Sequence, residues 1–353
     1  MYFRAEDGVN GYELWVSDGT VAGTELLADI NPSGHSVPEW LTVLGTNIIF
    51  KATNPATGSE LWKTDGTTGG TELVKDINPT GNSYISELVE YNGKLYFSAD
   101  DGVNGTELWV TDGTTAGTQM VKDINPGAAN SSPFSLVVFN ELLFFSAHDF
   151  TAQKELFVSD GTLAGTEMVV DIDPSGGAYP KDITVFDGAL YFSADDGTNG
   201  TELWKSDGTS GDAVMVKDIN TSGSSSLDMF YVYDGQLFFN ATDGTTGIEL
   251  WVSDGTTSGT TLFKNINATG DSYVDNHTTY NGKMYFGADA GTNGYELWES
   301  DGTIAGTVMI EPLGAINSDP AGNTYEYIQF GGSLFFQADY TAEGAELWKF
   351  TTV

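Results

Sequence analysis

The residues best equipped for chemistry in this chain are carboxylates, and they recur. Asp7, Asp101, Asp196, Asp243 and Asp289 each stand in a polar, often Gly-rich turn. Asp29, Asp76, Asp123, Asp171 and Asp218 each close a short apolar run. Carboxylates and turn carbonyls are hard oxygen ligands of the kind Ca²⁺ takes. Ca²⁺ is therefore the one cofactor the sequence nominates, with the five turn aspartates as its candidate ligands. The DxDxDG order of an EF-hand loop is absent. Catalytic signals are weaker. His35, His148 and His277 occupy unrelated contexts, with no Ser-His-Asp or His-rich metal spacing around them. No catalytic residue is assigned, and the chain is expected not to be an enzyme. Cysteine is absent, which excludes disulfides and thiolate metal sites.

A second set of residues recurs more strictly. A Glu-Leu-aromatic core starts at Glu13, Glu60, Glu107, Glu155, Glu202, Glu249, Glu296 and Glu346. The steps between them are 47, 47, 48, 47, 47, 47 and 50 residues. The full word is ELWxxDGTxxGT, and eight copies at a near-constant period define a repeat protein. Its tryptophans are Trp15, Trp62, Trp109, Trp204, Trp251, Trp298 and Trp348. Their mid-strand position suits aromatic packing between repeats, with a sugar-stacking platform as the alternative. The Glu lies on the same face and needs partners if buried. Asp18, Asp65, Asp112, Asp160, Asp207, Asp254 and Asp301 open a tight turn, where Asp accepts backbone N–H groups and Gly supplies positive φ.

The elements that hold these residues are strands. In the third repeat, Ser86–Tyr91 reads as strand A and Asn92-Gly93 as a hairpin turn. Residues 94–99 read as strand B, 106–111 as strand C and 118–124 as strand D, which Pro126 stops. Strands B and C are apolar on both faces. No window carries a convincing helical period. Four-stranded antiparallel sheets covered on both faces and repeated eight times imply an all-β fold, a β-propeller. The chain opens inside a strand B and ends on a strand C. With A innermost and D outermost, the first blade lacks A and the last lacks D. The count favours one domain of eight blades over residues 1–353, with an N-terminal D–A segment of the ring absent from this chain. A seven-bladed ring with one unpaired hairpin is the alternative.

The formal charge is −37, from 50 acidic and 13 basic residues. That argues against nucleic acid and anionic membrane as partners. No apolar run is long enough to span a bilayer. The repeated word resembles that of the bacterial ELWxxDGT repeat proteins, across essentially all eight units. The order of strands is also similar to that of periplasmic TolB-like propellers. The first resemblance implies a secreted or cell-surface propeller, its signal sequence not in this chain. The repeat departs from its pattern in unit four (Phe157 for Trp), unit five (Ser210 to Ala213), unit seven (Ile310 to Leu313) and unit eight, which has no Asp-Gly-Thr. The expected function is an extracellular, non-enzymatic scaffold for adhesion or interaction, including a building block of a cell-surface or filamentous assembly. A glycan-binding lectin with one shallow site per blade is the rival. Expected partners are a protein or glycan outside the cell, or copies of the chain itself. An enzyme would instead gather non-repeated polar residues at the axis.

Overall fold

A computed structural model describes residues 1–151, 153–291, 295–310, 327–338 and 346–350. The described residues form eight antiparallel sheets, the blades of a β-propeller, each with its strands in sequential order. Blade three is representative. Strand A is Ser86–Tyr91, B is Lys94–Asp100, C is Thr106–Thr111 and D is Gln119–Lys122. The first sheet holds strands B, C and D only, and the last holds A, B and C among the described residues. No helix among the described residues is long and apolar enough to cross a membrane.

The hairpin signal is obeyed. Asn92 and Gly93 take φ of 53° and 73°, and Asn281 and Gly282 take 48° and 77°. Both central residues are left-handed, as the tight turn between twisted strands requires. Strand D is shorter than its apolar run suggests. Leu108 pairs with Lys122 but Trp109 pairs with Met120, so Val121 is an extra residue and the ladder is bulged.

Strand A carries a second bulge that the sequence does not announce. Ser86 pairs with Ser98 and Val89 with Tyr96, leaving one unmatched residue in A. Glu87 absorbs it at φ 64°. Trp40, Ser135, Asp182, Met229 and Asn276 do the same in their blades, at φ between 52° and 59°. None is glycine, and left-handed backbone is costly for bulky side chains.

Two compact units divide the chain, residues 1–180 with 208–212 and residues 181–207 with 213–353. In the first, one face of blade two meets blade three: Ile49, Leu61 and Val74 pack with Leu95, Phe97 and Trp109. Polar ties reinforce the contact. The Lys75 ammonium donates to Thr118 O, and the Thr115 hydroxyl donates to Val74 O. In the second unit, Phe238, Leu250 and Phe263 of blade six pack on Met284, Phe286 and Trp298 of blade seven. There the Lys217 ammonium donates to Thr260 O and the Thr257 hydroxyl to Val216 O. Within each unit the A strands of successive blades approach one another, which makes A the inner edge.

Candidate functional site

The loud repeat residues turn out to support the blades. Trp109, Trp204, Trp251 and Trp298 are buried, and Trp15 and Trp62 are half-buried against their neighbours. Phe157 fills the same place and stacks on Phe145, centroids 6.0 Å apart. These aromatics sit between blades, where no sugar could stack on them. The Trp348 side chain lies outside what the structure describes.

The Glu of the word is a staple in the first six blades. Glu107 is fully buried and accepts from Ile124 N, Ser131 N and the Ser131 hydroxyl, at 2.8, 3.0 and 2.6 Å. It thereby pins the D–A crossover to strand C. Glu13 does the same with Ile30 and Ser36. Burial pushes Glu60, Glu107 and Glu155 up to about 7, against donors that pull them down. Asp76, Asp123 and Asp171, at the ends of strand D, add like-charge repulsion.

The Asp-Gly-Thr turns are closed networks. Asp112 Oδ1 accepts from the Thr114 N–H and hydroxyl, and the Thr114 Oγ1 accepts from Gly117 N. A Cβ on Gly117 would lie 2.0 Å from Asp112 Oδ1, so glycine is obligatory. Asp18, Asp65, Asp160, Asp254 and Asp301 repeat the arrangement, and their Thr donors hold them below the usual carboxylate range.

The turn aspartates nominated for Ca²⁺ are likewise occupied. Asp101 accepts from Val103 N, Asn104 N and the Asn104 amide. Asp7 and Asp196 match it. Asp243 takes the N–H and hydroxyl groups of Thr245 and Thr246, which bring it to about 2. Asp289 is one position out of register: it caps Gly291 as Asp100 caps Gly102. The structure does not bring these side chains together. Among the described residues no three His, Asp or Glu side chains are grouped to hold a metal ion.

The blades differ at another level. The first residue of each bulged A strand faces a strand B residue, and each pair is its own: Glu39 and Lys51, Ser86 and Ser98, Phe134 and Ser146, Lys181 and Ser193, Asp228 and Asn240, Asp275 and Gly287. In blade two the pair is an ion pair, Glu39 bonding both Lys51 and Arg4; in blades four and five the Ser146 and Ser193 hydroxyls are sealed without a partner among the described residues.

Blades six and seven carry amide, carboxyl and imidazole groups at this level. The Asn240 amide donates to Asp228 Oδ1 and to Val274 O, both at 2.7 Å. Its own Oδ1 is sealed from solvent and has no partner among the described residues. The same holds for Asp275 Oδ1, His277 Nε2 and the Tyr295 hydroxyl, while the Asn276 side chain is hydrogen-bonded to Asp275. Burial, with Asp228 nearby, pushes the Asp275 carboxyl up to about 7, and burial raises Asp228 as well. His277 stands where other blades put Leu88, Leu136, Ile183 or Phe230. It stacks on Tyr231 at 5.3 Å and lies 5.7 Å from Phe286, and burial draws it down to about 4. At neutral pH the imidazole is uncharged, and the Asp275 carboxyl is poised to hold or release a proton.

Sequence reasoning noted His277 but missed its company. The signal was available: aligned by repeat, strand B reads Arg4, Lys51, Ser98, Ser146, Ser193, Asn240, Gly287 at one position. The units marked as departing from the pattern were four, five, seven and eight, so unit six was passed over.

No family model and no curated protein matches the chain. Solved structures do. One of two prolyl endopeptidases superimposes with a TM-score of 0.56 at 11% identity, over 97% of this chain and 53% of that one. A serine-to-alanine mutant of puromycin hydrolase complexed with PGG gives 0.53 at 13%, over 95% and 56%. A puromycin-hydrolyzing peptidase of Mycobacterium tuberculosis gives 0.54 at 10%, over 88% and 53%. The chain thus spans just over half the length of these structures, and at such identities the likeness shows the fold. The matches correct the expected function. Each of these three is the structure of a peptidase or hydrolase that this chain matches over just over half its length, which points away from a non-enzymatic scaffold, adhesion module or lectin. They also give no support to the expectation that the chain is not an enzyme.

Proposed function

We propose that this chain is the propeller portion of a hydrolase acting on peptides or peptide-like amides, and that the inner strands of blades six and seven face its substrate. The observation that carries this reading is the concentration of Asp228, Asp275, Asn276 and His277 on the inner strands of blades six and seven, with Asn240 on the adjoining strand B of blade six. The repeat supplies none of these residues at the matching positions of blade three. Similarity to the peptidase propellers supports the substrate class. The cluster binds and orients polar groups of the substrate; bond cleavage falls to groups elsewhere in the enzyme.

The test is equilibrium binding of proline-containing tripeptides and of puromycin to the 353-residue chain, followed residue by residue by NMR. Saturable shifts at Asn240, Asn276 and His277 support the reading. Absence of binding to every peptide tried, or shifts confined to the acidic turns, contradicts it.

A further inference from the structure

We propose that the B–C end of blade four is a binding site for a carboxylate carried beside an apolar side chain, the group a peptide presents at its C-terminus. The hydrolase reading supplies only the source of that carboxylate. The site itself stands on residues of blade four and of the crossover that follows it.

Blade four reverses the charge of the repeat at this end. Where strands B and C part, blade three pairs Asp100 with Thr106 and blade five pairs Asp195 with Thr201. Blade two pairs Thr53 with Ser59, and blade seven pairs Asp289 with Tyr295. Blade four pairs His148 with Lys154. An imidazole and an ammonium thus stand where blades three and five have a carboxylate and a hydroxyl, in a chain with 50 acidic and only 13 basic residues. The lysine is also placed unlike others. Lys75, Lys122, Lys217 and Lys264 each donate to a carbonyl of the following blade. The Lys154 ammonium lies over the Phe134 ring, 4.1 Å from its centroid.

Measured contacts gather these residues in one place. Phe134 pairs with Ser146, two residues before His148, so Phe134, His148 and Lys154 project from one face of the sheet. The Tyr179 N–H donates to Lys154 O at 2.9 Å, and its hydroxyl donates to Gln153 Oε1 at 3.3 Å. The Tyr179 ring meets the His148 ring edge-on, centroids 6.0 Å apart. Tyr179 is exposed, and Phe134, His148 and Lys154 are half-buried. The two basic groups are therefore bordered by aromatic rings and remain within reach of solvent.

Charge selects the guest. Two carboxyls lie near the cluster. Asp149 turns back on its own loop and accepts from the Thr151 N–H and hydroxyl. Glu87 of blade three accepts from Leu136 N, and burial raises it, which lessens its repulsion of an anion. A cationic guest would confront Lys154, and a neutral amide would gain little from it. A carboxylate takes a charge-assisted hydrogen bond from the ammonium, while the rings receive the apolar side chain beside it. His148, drawn down by burial and by Lys154, is uncharged at neutral pH and offers one N–H.

The deciding experiment is calorimetric titration of the 353-residue chain with N-acetylphenylalanine, the tripeptide Gly-Gly-Phe and the C-terminal amide of each. Both acids are expected to saturate, and both amides to bind at least about tenfold more weakly, as loss of a hydrogen bond between charged groups implies. Lys154→Thr restores the residue of blades three and five, so it should keep the melting temperature while weakening both acids about tenfold. Should that variant fail to fold, His148→Asp carries the same test, because it restores the carboxylate of those blades and sets a like charge beside the guest. No saturation by either acid, amides bound as tightly as acids, or unchanged acid affinity in the folded variant would overturn the proposal. Binding of N-acetylphenylalanine but not of Gly-Gly-Phe would leave the carboxylate site standing and count against the hydrolase reading. Gly-Gly-Phe bound equally well with its C-terminus free or amidated would support the hydrolase reading and remove this site.

Discussion

Fully buried Glu107 and half-buried Asp275 both have carboxyls pushed up to about 7, yet they sit in opposite kinds of surroundings. Glu107 has every oxygen occupied, by donors that recur in blade after blade. Asp275 leaves one oxygen sealed and without a partner among the described residues, on a strand whose polar residues differ from those of blade three. The donors to Glu107 come with the repeat, whereas the surroundings of Asp275 do not. A structural role explains the first carboxyl completely, and a binding role is the simplest reason to retain the second.

The comparison can be broken by substitution. The largest effect is expected for Glu107→Ala, which abandons three buried donors at roughly 1–3 kcal/mol each. Urea denaturation of that variant should show it, and a loss below about 1 kcal/mol would mean that the staple is dispensable. Trp251→Ala should cost about 3–5 kcal/mol by the same measurement, because the indole fills the gap between blades. Thr115→Val should cost only about 1 kcal/mol, the value of one tie to Val74 O. Leu163 and Ile304 already stand at this position in blades four and seven.

Proton linkage sharpens the same contrast. Glu60, Glu107 and Glu155 have folded values near 7, above the ordinary 4.5. Their contribution is therefore complete below about 4.5 and is lost as pH rises through about 7. Asp275 acts in the same direction. His277, drawn from 6.5 to about 4, acts oppositely: its contribution is present above 6.5 and is lost as pH falls through about 4. With more carboxyls than imidazoles involved, the thermal midpoint should decline modestly from pH 5 to pH 8. A midpoint that rises over this range would show that the staples stay ionised throughout.

Much of the fold was legible because it was written many times. The Asn-Gly turn, the two-faced strands B and C, and the buried aromatic at Trp109 and Trp251 all follow from local pattern. Strand D was read too long because Val121 looks like one more alternating residue, whereas it is the bulge. The strand A bulge could not be read at all. Glu87, Trp40 and Met229 share no property that signals left-handed backbone; the geometry is imposed by the ladder on either side. The site was half-legible. His277 stands out as a residue, but its meaning needs Asn240 from the neighbouring blade and Tyr295 from strand C of its own blade, both remote in sequence. Asp289 was misplaced by one position because Asp-Ala-Gly and Asp-Gly look alike until the register with strand C is known.

His277→Leu restores the apolar residue that other blades carry, and it separates support from function most directly. The variant should melt at or above the parent, by about 1 kcal/mol of added stability, since an unpartnered polar group gives way to packing. It should also lose peptide binding. A variant that melts lower by more than about 2 kcal/mol while binding peptides as before would show that the cluster supports the fold after all.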